Sequence, residues 1–183
     1  MDRDGLLISG VGSHRMWIVR NFKTFHPGSC LISNGLVSMG IAVPGAIAEA
    51  LRFPERQVVA VAGDGGFMMN VQELATAKRL DLNITYLVLN DDDYGLINWK
   101  QEQQQDKSTS TKLNNPDFAK LAESFDIKGQ RPESLAELSE ALKDALQQNR
   151  IHLIEVPVDP SVNQALTQKL EDYFAKAEET VNA

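Results

Sequence analysis

The chain has 183 residues, enough for one domain with a sizeable core, and 43% hydrophobic with 23% charged residues is ordinary for a water-exposed globular protein. A formal net charge of −7 with no basic run excludes a nucleic-acid surface, and no apolar run approaches the ~18 residues of a membrane span. A single cysteine, Cys30, excludes an internal disulfide and fits a reducing compartment, so the expectation is a cytoplasmic chain with no membrane or nucleic-acid partner.

In chain order, LLISGVG (6–12) reads as a strand running into a glycine turn, followed by the amphipathic stretch SHRMWIVRNF. CLISN (30–34) is a short strand entering a loop. MGIAVPGAIAEALRF (39–53) is Ala-rich and helix-like, with Pro44 placed in or near its first turn. QVVAVAG (57–63) and ITYLVLN (84–90) are continuous apolar runs, as strands buried on both faces should be, and VQELATAKRL between them has a helical rhythm. KQEQQQDKSTSTK (100–112) is a low-complexity polar patch, read as an exposed loop able to serve as a flap. Helices follow at 116–124 and 134–148, the second opened by Ser134 and Glu137 in capping-box spacing, then the strand IHLIEVPVD (151–159). Residues 1–160 form the body of the domain, and 161–183 a tail, helical from Gln164, that belongs to it.

Strand and helix alternating in this way imply βαβ crossovers and a parallel sheet, whose ligands bind beyond the carboxyl ends of the strands. Two acidic turns, GDGG (63–66) and NDDDYG (90–95), fall at such ends, with Asp64 and Asp91 separated by one helix and one strand. On neighbouring strands the two carboxylates could share a hard cation such as Mg²⁺, leaving positions for a diphosphate, while Gly65 and Gly66 offer backbone N–H groups to an anion. An isolated Gly-Asp-Gly is equally an ordinary turn, and three aspartates in a row can simply be a solvated loop. Neither a P-loop nor a complete dinucleotide fingerprint is present.

The segment GDGGFMMNVQELATAKRLDLNITYLVLNDDDYGLINWKQ resembles the thiamine diphosphate motif, which opens on GDG and closes on Asn-Asn or Asn-Asp, and within that superfamily it resembles the acetolactate synthase group. GVGSHRMW (10–17) and SNGLVSMGIAVPGAIAEAL (33–51) resemble two further elements of that group at the family's spacing, so the likeness covers roughly residues 4 to 172. The resemblance implies a three-layer α/β/α thiamine-diphosphate-binding fold with a mostly parallel sheet. It implies Mg²⁺ held by Asp64, Asp91 and the backbone carbonyl of Asp93. The diphosphate would be bound in the turn Gly63–Gly66 with Ser13 and His14 at its far side, and Tyr94 and Gly95 would complete the cofactor site. Met39 would sit under the thiazolium, the backbone of Val37 and Met39 would meet the aminopyrimidine, and Leu96 and Trp99 would line the substrate side. Each residue has a plainer reading too: a helix start for Ser13 and His14, core packing for Met39 and Trp99.

Some positions depart from the family pattern. Ser13 stands for the usual Gln, Val37 for a frequent Gly, and Asp91 for the commoner Asn. Trp99 lies one residue nearer the acidic turn than in biosynthetic members that prefer 2-ketobutyrate, so that preference does not carry over. The glutamate that activates the aminopyrimidine lies, in this family, on a separate pyrimidine-binding domain; Glu49, Glu55, Glu73 and Glu102 match no such motif. The expectation is the C-terminal piece of an acetolactate-synthase-like enzyme that decarboxylates pyruvate and joins its two-carbon unit to a second 2-oxoacid, as in branched-chain amino-acid biosynthesis. No catalytic residue of its own is expected in this chain, which would be inactive alone. Its partners would be the 2-oxoacid, a pyrimidine-binding domain and further copies of itself, and FAD could sit on an absent domain of the parent. Two alternatives stand beside it: the small subunit of a two-chain 2-oxoacid decarboxylase of the sulfopyruvate type, and a non-catalytic dimerisation module.

Overall fold

A computed structural model of the chain describes residues 1–105 and 107–163. The helix expected from Gln164 lies outside the described residues. In chain order the elements are β1 (Leu6–Ser9), α1 (His14–Asn21), β2 (Cys30–Ile32), α2 (Ala42–Arg52), β3 (Val58–Gly63), α3 (Asp64–Met68) and α4 (Glu73–Arg79). They continue with β4 (Ile84–Asn90), α5 (Gly95–Gln105), α6 (Phe118–Ser124), β5 (Lys128–Gln130), α7 (Leu135–Gln147) and β6 (His152–Pro157). The six strands form one sheet in the order β2-β1-β3-β4-β6-β5, and every pairing is parallel.

Side-chain alternation sorts the core into two layers. Val58, Ala60 and Ala62 of β3 join Ile84, Tyr86 and Val88 of β4 and Leu153 of β6 on one face, against α2, α4 and α6. Val59 and Val61 face the other way, toward Ile18 and Phe22 at α1 and Leu146 of α7, and Ile154 packs on Ala141 and Ala145 of α7. Helices on both faces of a parallel sheet make the three-layer α/β/α arrangement, with strands buried on both sides. Helix α2 buries Ala42, Val43, Ala46, Ile47 and Ala50, one face of a helical turn pattern, and Pro44 falls in its first turn, where a missing N–H costs nothing.

Several boundaries differ from the sequence expectation. Lys100–Gln105 is not loop but the last turns of α5, since Glu, Gln and Lys are good helix formers even when fully solvated. Strand β5 was not anticipated, because Lys-Gly-Gln has no apolar pattern and is held by its register with His152–Ile154. The capping box of α7 is half formed: Ser134 Oγ accepts from Glu137 N at 3.2 Å, but Glu137 Oε2 accepts from Glu133 N, at 2.9 Å. Helix α3 also went unread. It has five residues, and Phe67, fully buried and edge-on to Tyr86 and Phe118 at centroid distances of 6.1 and 5.8 Å, fastens it to the core.

Candidate active site

Chain direction reverses across the sheet at β1 and β3: β1 leads to β2 on one side, and the chain then returns to β3 and β4 on the other. Ligands of open parallel sheets sit at such a point, beyond the strand carboxyl ends. There the described residues enclose a cavity of about 240 Å³. Its walls come from the turns after β1, β3 and β4 and from residues 158–163 after β6.

Twelve of the expected residues line it: Ser13, His14, Met39, Gly63, Asp64, Gly65, Gly66, Asp91, Asp93, Tyr94, Gly95 and Leu96. Two do not. Trp99 lines a small adjoining recess with Met16, and Val37 lies in the loop leading to Met39, outside the cavity lining. Val37 has φ +52°, a left-handed backbone that strains a β-branched residue and that a glycine would take freely.

The acidic turns meet as the strand register dictates. Gly63 pairs with Leu89, so Asp64 and Asp91 leave adjacent strand ends into one space. Asp64 is buried; its Oδ1 accepts from Gly65 N at 2.8 Å and its Oδ2 from Asn115 Nδ2 at 2.7 Å. Burial holds its carboxyl above the usual range, with the charge of Asp92 adding to this and the hydrogen bonds opposing it. Asp91 is pushed up to about 6, by burial first and then by the charges of Asp64 and Asp93. Its Oδ2 lies so close to Gly95 that a Cβ there would stand 2.5 Å from it, and the Tyr94 ring packs on Gly65 just as closely.

Asp93 behaves differently. Its Oδ2 accepts from Asn98 Nδ2 at 2.5 Å and pairs with Lys112 Nζ at 3.0 Å, and these donors outweigh burial and hold its carboxyl low. The bridge between Asp93 and Lys112 uses Tyr94 N to Thr111 O and Leu113 N to Asp92 O, which leaves the Asp93 carbonyl out of it. Among the described residues no three His, Cys, Asp or Glu side chains are grouped to hold a metal ion. A cation here would therefore have two carboxylates and a carbonyl, an all-oxygen set that fits Mg²⁺ when phosphate and water complete the shell.

His14 opens α1 almost fully buried, and its Nε2 has no hydrogen-bond partner among the described residues. Burial lowers its pKa to about 4, against a raising contact with the Gly10 backbone and with help from Arg15, so the imidazole is neutral at neutral pH. Ser13 precedes it at the cap position and makes no capping bond with its side chain. The sequence reading missed three participants. Asn115 touches the acidic turns from the loop before α6, Lys112 neutralises Asp93, and Asn163 Oδ1 accepts from Trp17 Nε1 at 2.9 Å, tying the segment after β6 to α1. Polar residues in loops carry no periodic signal, and only Asn115, ahead of Pro116 and a helix start, sits in a recognisable context.

Residues 10–156 match the family model described as thiamine pyrophosphate enzyme, C-terminal TPP binding domain. Among curated relatives, the acetolactate synthase of Bacillus subtilis (strain 168) is 38% identical over 153 residues, 84% of this chain and 27% of that protein. The acetolactate synthase isozyme 2 large subunit of Escherichia coli (strain K12) is 35% identical over 162 residues, 87% of this chain and 30% of its own. The catabolic acetolactate synthase of Raoultella terrigena is 33% identical over 170 residues, 93% and 30% respectively. The chain thus spans less than a third of the length of each of these relatives. A cavity at the sheet's switch point, and a match that runs from the turn after β1 into β6, agree on one assignment: the chain belongs to the C-terminal TPP-binding domain family of thiamine pyrophosphate enzymes.

Proposed function

We propose that this chain holds the Mg²⁺–diphosphate end of thiamine diphosphate within an acetolactate-synthase-like enzyme acting on pyruvate. The observation that carries the reading is the placement of Asp64 and Asp91 at adjacent strand ends around one cavity, where the charge of Asp64 helps to raise Asp91. Two carboxylates that repel each other in a partly buried site are relieved by a divalent cation.

In this reading Asp64, Asp91 and the Asp93 carbonyl hold the metal, and Ser13, His14 and the turn Gly63–Gly66 receive the diphosphate. Gly65 N–H now donates to Asp64 Oδ1, so an incoming phosphate oxygen competes for that donor. Neutral His14 leaves Nε2 free for a polar group of the ligand, and Tyr94, Gly95 and Met39 close the walls. The backbone of Val37 and Met39 would receive the aminopyrimidine, and Leu96 and Trp99 would stand on the substrate side. When bound, thiamine diphosphate supplies the electron sink for decarboxylating a 2-oxoacid. The chain's own residues bind, orient and keep water out, and the group that activates the pyrimidine comes from a partner domain. FAD, if the parent carries it, also sits outside this chain.

Calorimetric titration of thiamine diphosphate into the chain tests the reading. Binding should require Mg²⁺ and disappear in Asp64→Ala and Asp91→Ala, with no pyruvate consumed. Mg²⁺-independent binding, or turnover by the chain alone, would overturn it. The relatives named acetolactate synthase favour this reading over the two-chain decarboxylase.

A further inference from the structure

Asn115 reaches the metal-facing turns from outside both of them. Its Nδ2 lies 2.7 Å from Asp64 Oδ2, 3.1 Å from Asn90 Oδ1 and 3.0 Å from Asp92 Oδ1. One amide group with two hydrogens thus serves three acceptors on both acidic turns. The arrangement is itself anchored. Glu155 of β6 is completely buried; its Oε1 accepts from Asn90 Nδ2 at 2.9 Å and pairs with Arg131 Nη1 at 3.2 Å, while its Oε2 accepts from Phe118 N at 3.1 Å. Glu155 therefore fixes one acceptor of Asn115 directly, and fixes the backbone three residues beyond Asn115 as well. Pro116 restricts Asn115 further, to extended backbone.

We infer that Asn115 is a positioning residue that orients Asp64 toward the cation, and that buried Glu155 holds Asn115 in register through Asn90 and Phe118. The inference rests on the metal-site reading above and adds to it two residues that touch neither metal nor cofactor. A neutral donor suits this place: a lysine or arginine would compete with the cation, whereas an amide fixes one lone pair of Asp64 Oδ2 and leaves the other. Mg²⁺ demands near-ideal octahedral geometry and Ca²⁺ tolerates irregular sites, so loss of orientation should cost Mg²⁺ more.

The test titrates Mg²⁺, and in parallel Ca²⁺, into the 183-residue chain with thiamine diphosphate in excess, read by the combined fluorescence of Trp17 in the cavity wall and Trp99 in the adjoining recess. Asn115→Ala should raise half-saturation for Mg²⁺ by about tenfold or more and for Ca²⁺ by less than about threefold, the size expected when a residue orienting a metal ligand is lost. Glu155→Gln keeps the shape and leaves Asp64 and Asn115 untouched. It should move Mg²⁺ the same way by at least about threefold, and it decides the matter alone if Asn115→Ala fails to fold. Unchanged Mg²⁺ half-saturation in Asn115→Ala, or equal losses for the two cations, overturns the positioning role; unchanged Mg²⁺ in Glu155→Gln overturns the anchor. A wild-type chain with no divalent-cation dependence overturns the metal-site reading and this inference together, an outcome distinct from either variant result.

Discussion

At the level of single residues, Asp91 and two histidines pull stability in opposite directions as pH changes. Asp91 titrates near 6 in the folded chain, against an ordinary carboxylate value near 4, so folding favours its protonated form. Its contribution is full below about pH 4 and lost as pH rises through about 6, roughly 1–2 kcal/mol after discounting for partial exposure. His14 and His152 are lowered, chiefly by burial; both ring nitrogens of His152 are unpartnered among the described residues. Their contribution is present above the ordinary imidazole value near 6.5 and is lost as pH falls from there to their lowered folded values, about 4 for His14. Asp91→Asn should therefore steepen the rise in melting temperature of the metal-free chain between about pH 4 and 6, and raise it at neutral pH. Thermal melts in chelator check this, and an unchanged pH slope would show that Asp91 is not strained by its neighbours.

At the level of elements, helix starts are the most readable features and irregular turns the least. Ser134 was legible as a cap from its spacing to Glu137, and the structure places its hydroxyl on Glu137 N. Ser134→Ala should cost about 1 kcal/mol, a fall of roughly 2–4 °C in melting temperature, with no effect on cofactor binding. The long strands β3 and β4 were legible because burial on both faces writes continuous apolar runs. β5 was not, since three residues paired to one neighbour need no pattern of their own. The same divide runs through the site. Asp64 and Asp91 announced themselves at strand ends, and family likeness supplied His14 and Met39. Asn115 and Glu155 stayed hidden because hydrogen bonds between residues 25 to 65 positions apart leave no local trace. Nor does a sequence show that Val37 takes a left-handed backbone.

At the level of the whole molecule, the cavity rim exposes apolar groups that water alone would not select. Ile97 and Val162, both in the cavity wall, are 51% and 53% exposed, and Leu36, three residues ahead of Met39 of that wall, is 95% exposed. We expect this rim to be covered by a second copy of the chain. Leu36→Glu with Ile97→Glu should abolish concentration-dependent association in sedimentation velocity, and a wild-type chain that stays monomeric throughout would remove the expectation. The order of the sheet has a consequence for synthesis. Among the described residues β5 pairs only with β6, and β6 lies between β4 and β5, so β5 has no neighbour there until β6 arrives. On a ribosome the nascent domain must carry an unpaired β5 and an open β4 edge until residue 157 has cleared the exit tunnel. The sheet cannot close progressively from its amino end, and a chaperone has one defined interval in which to shield it.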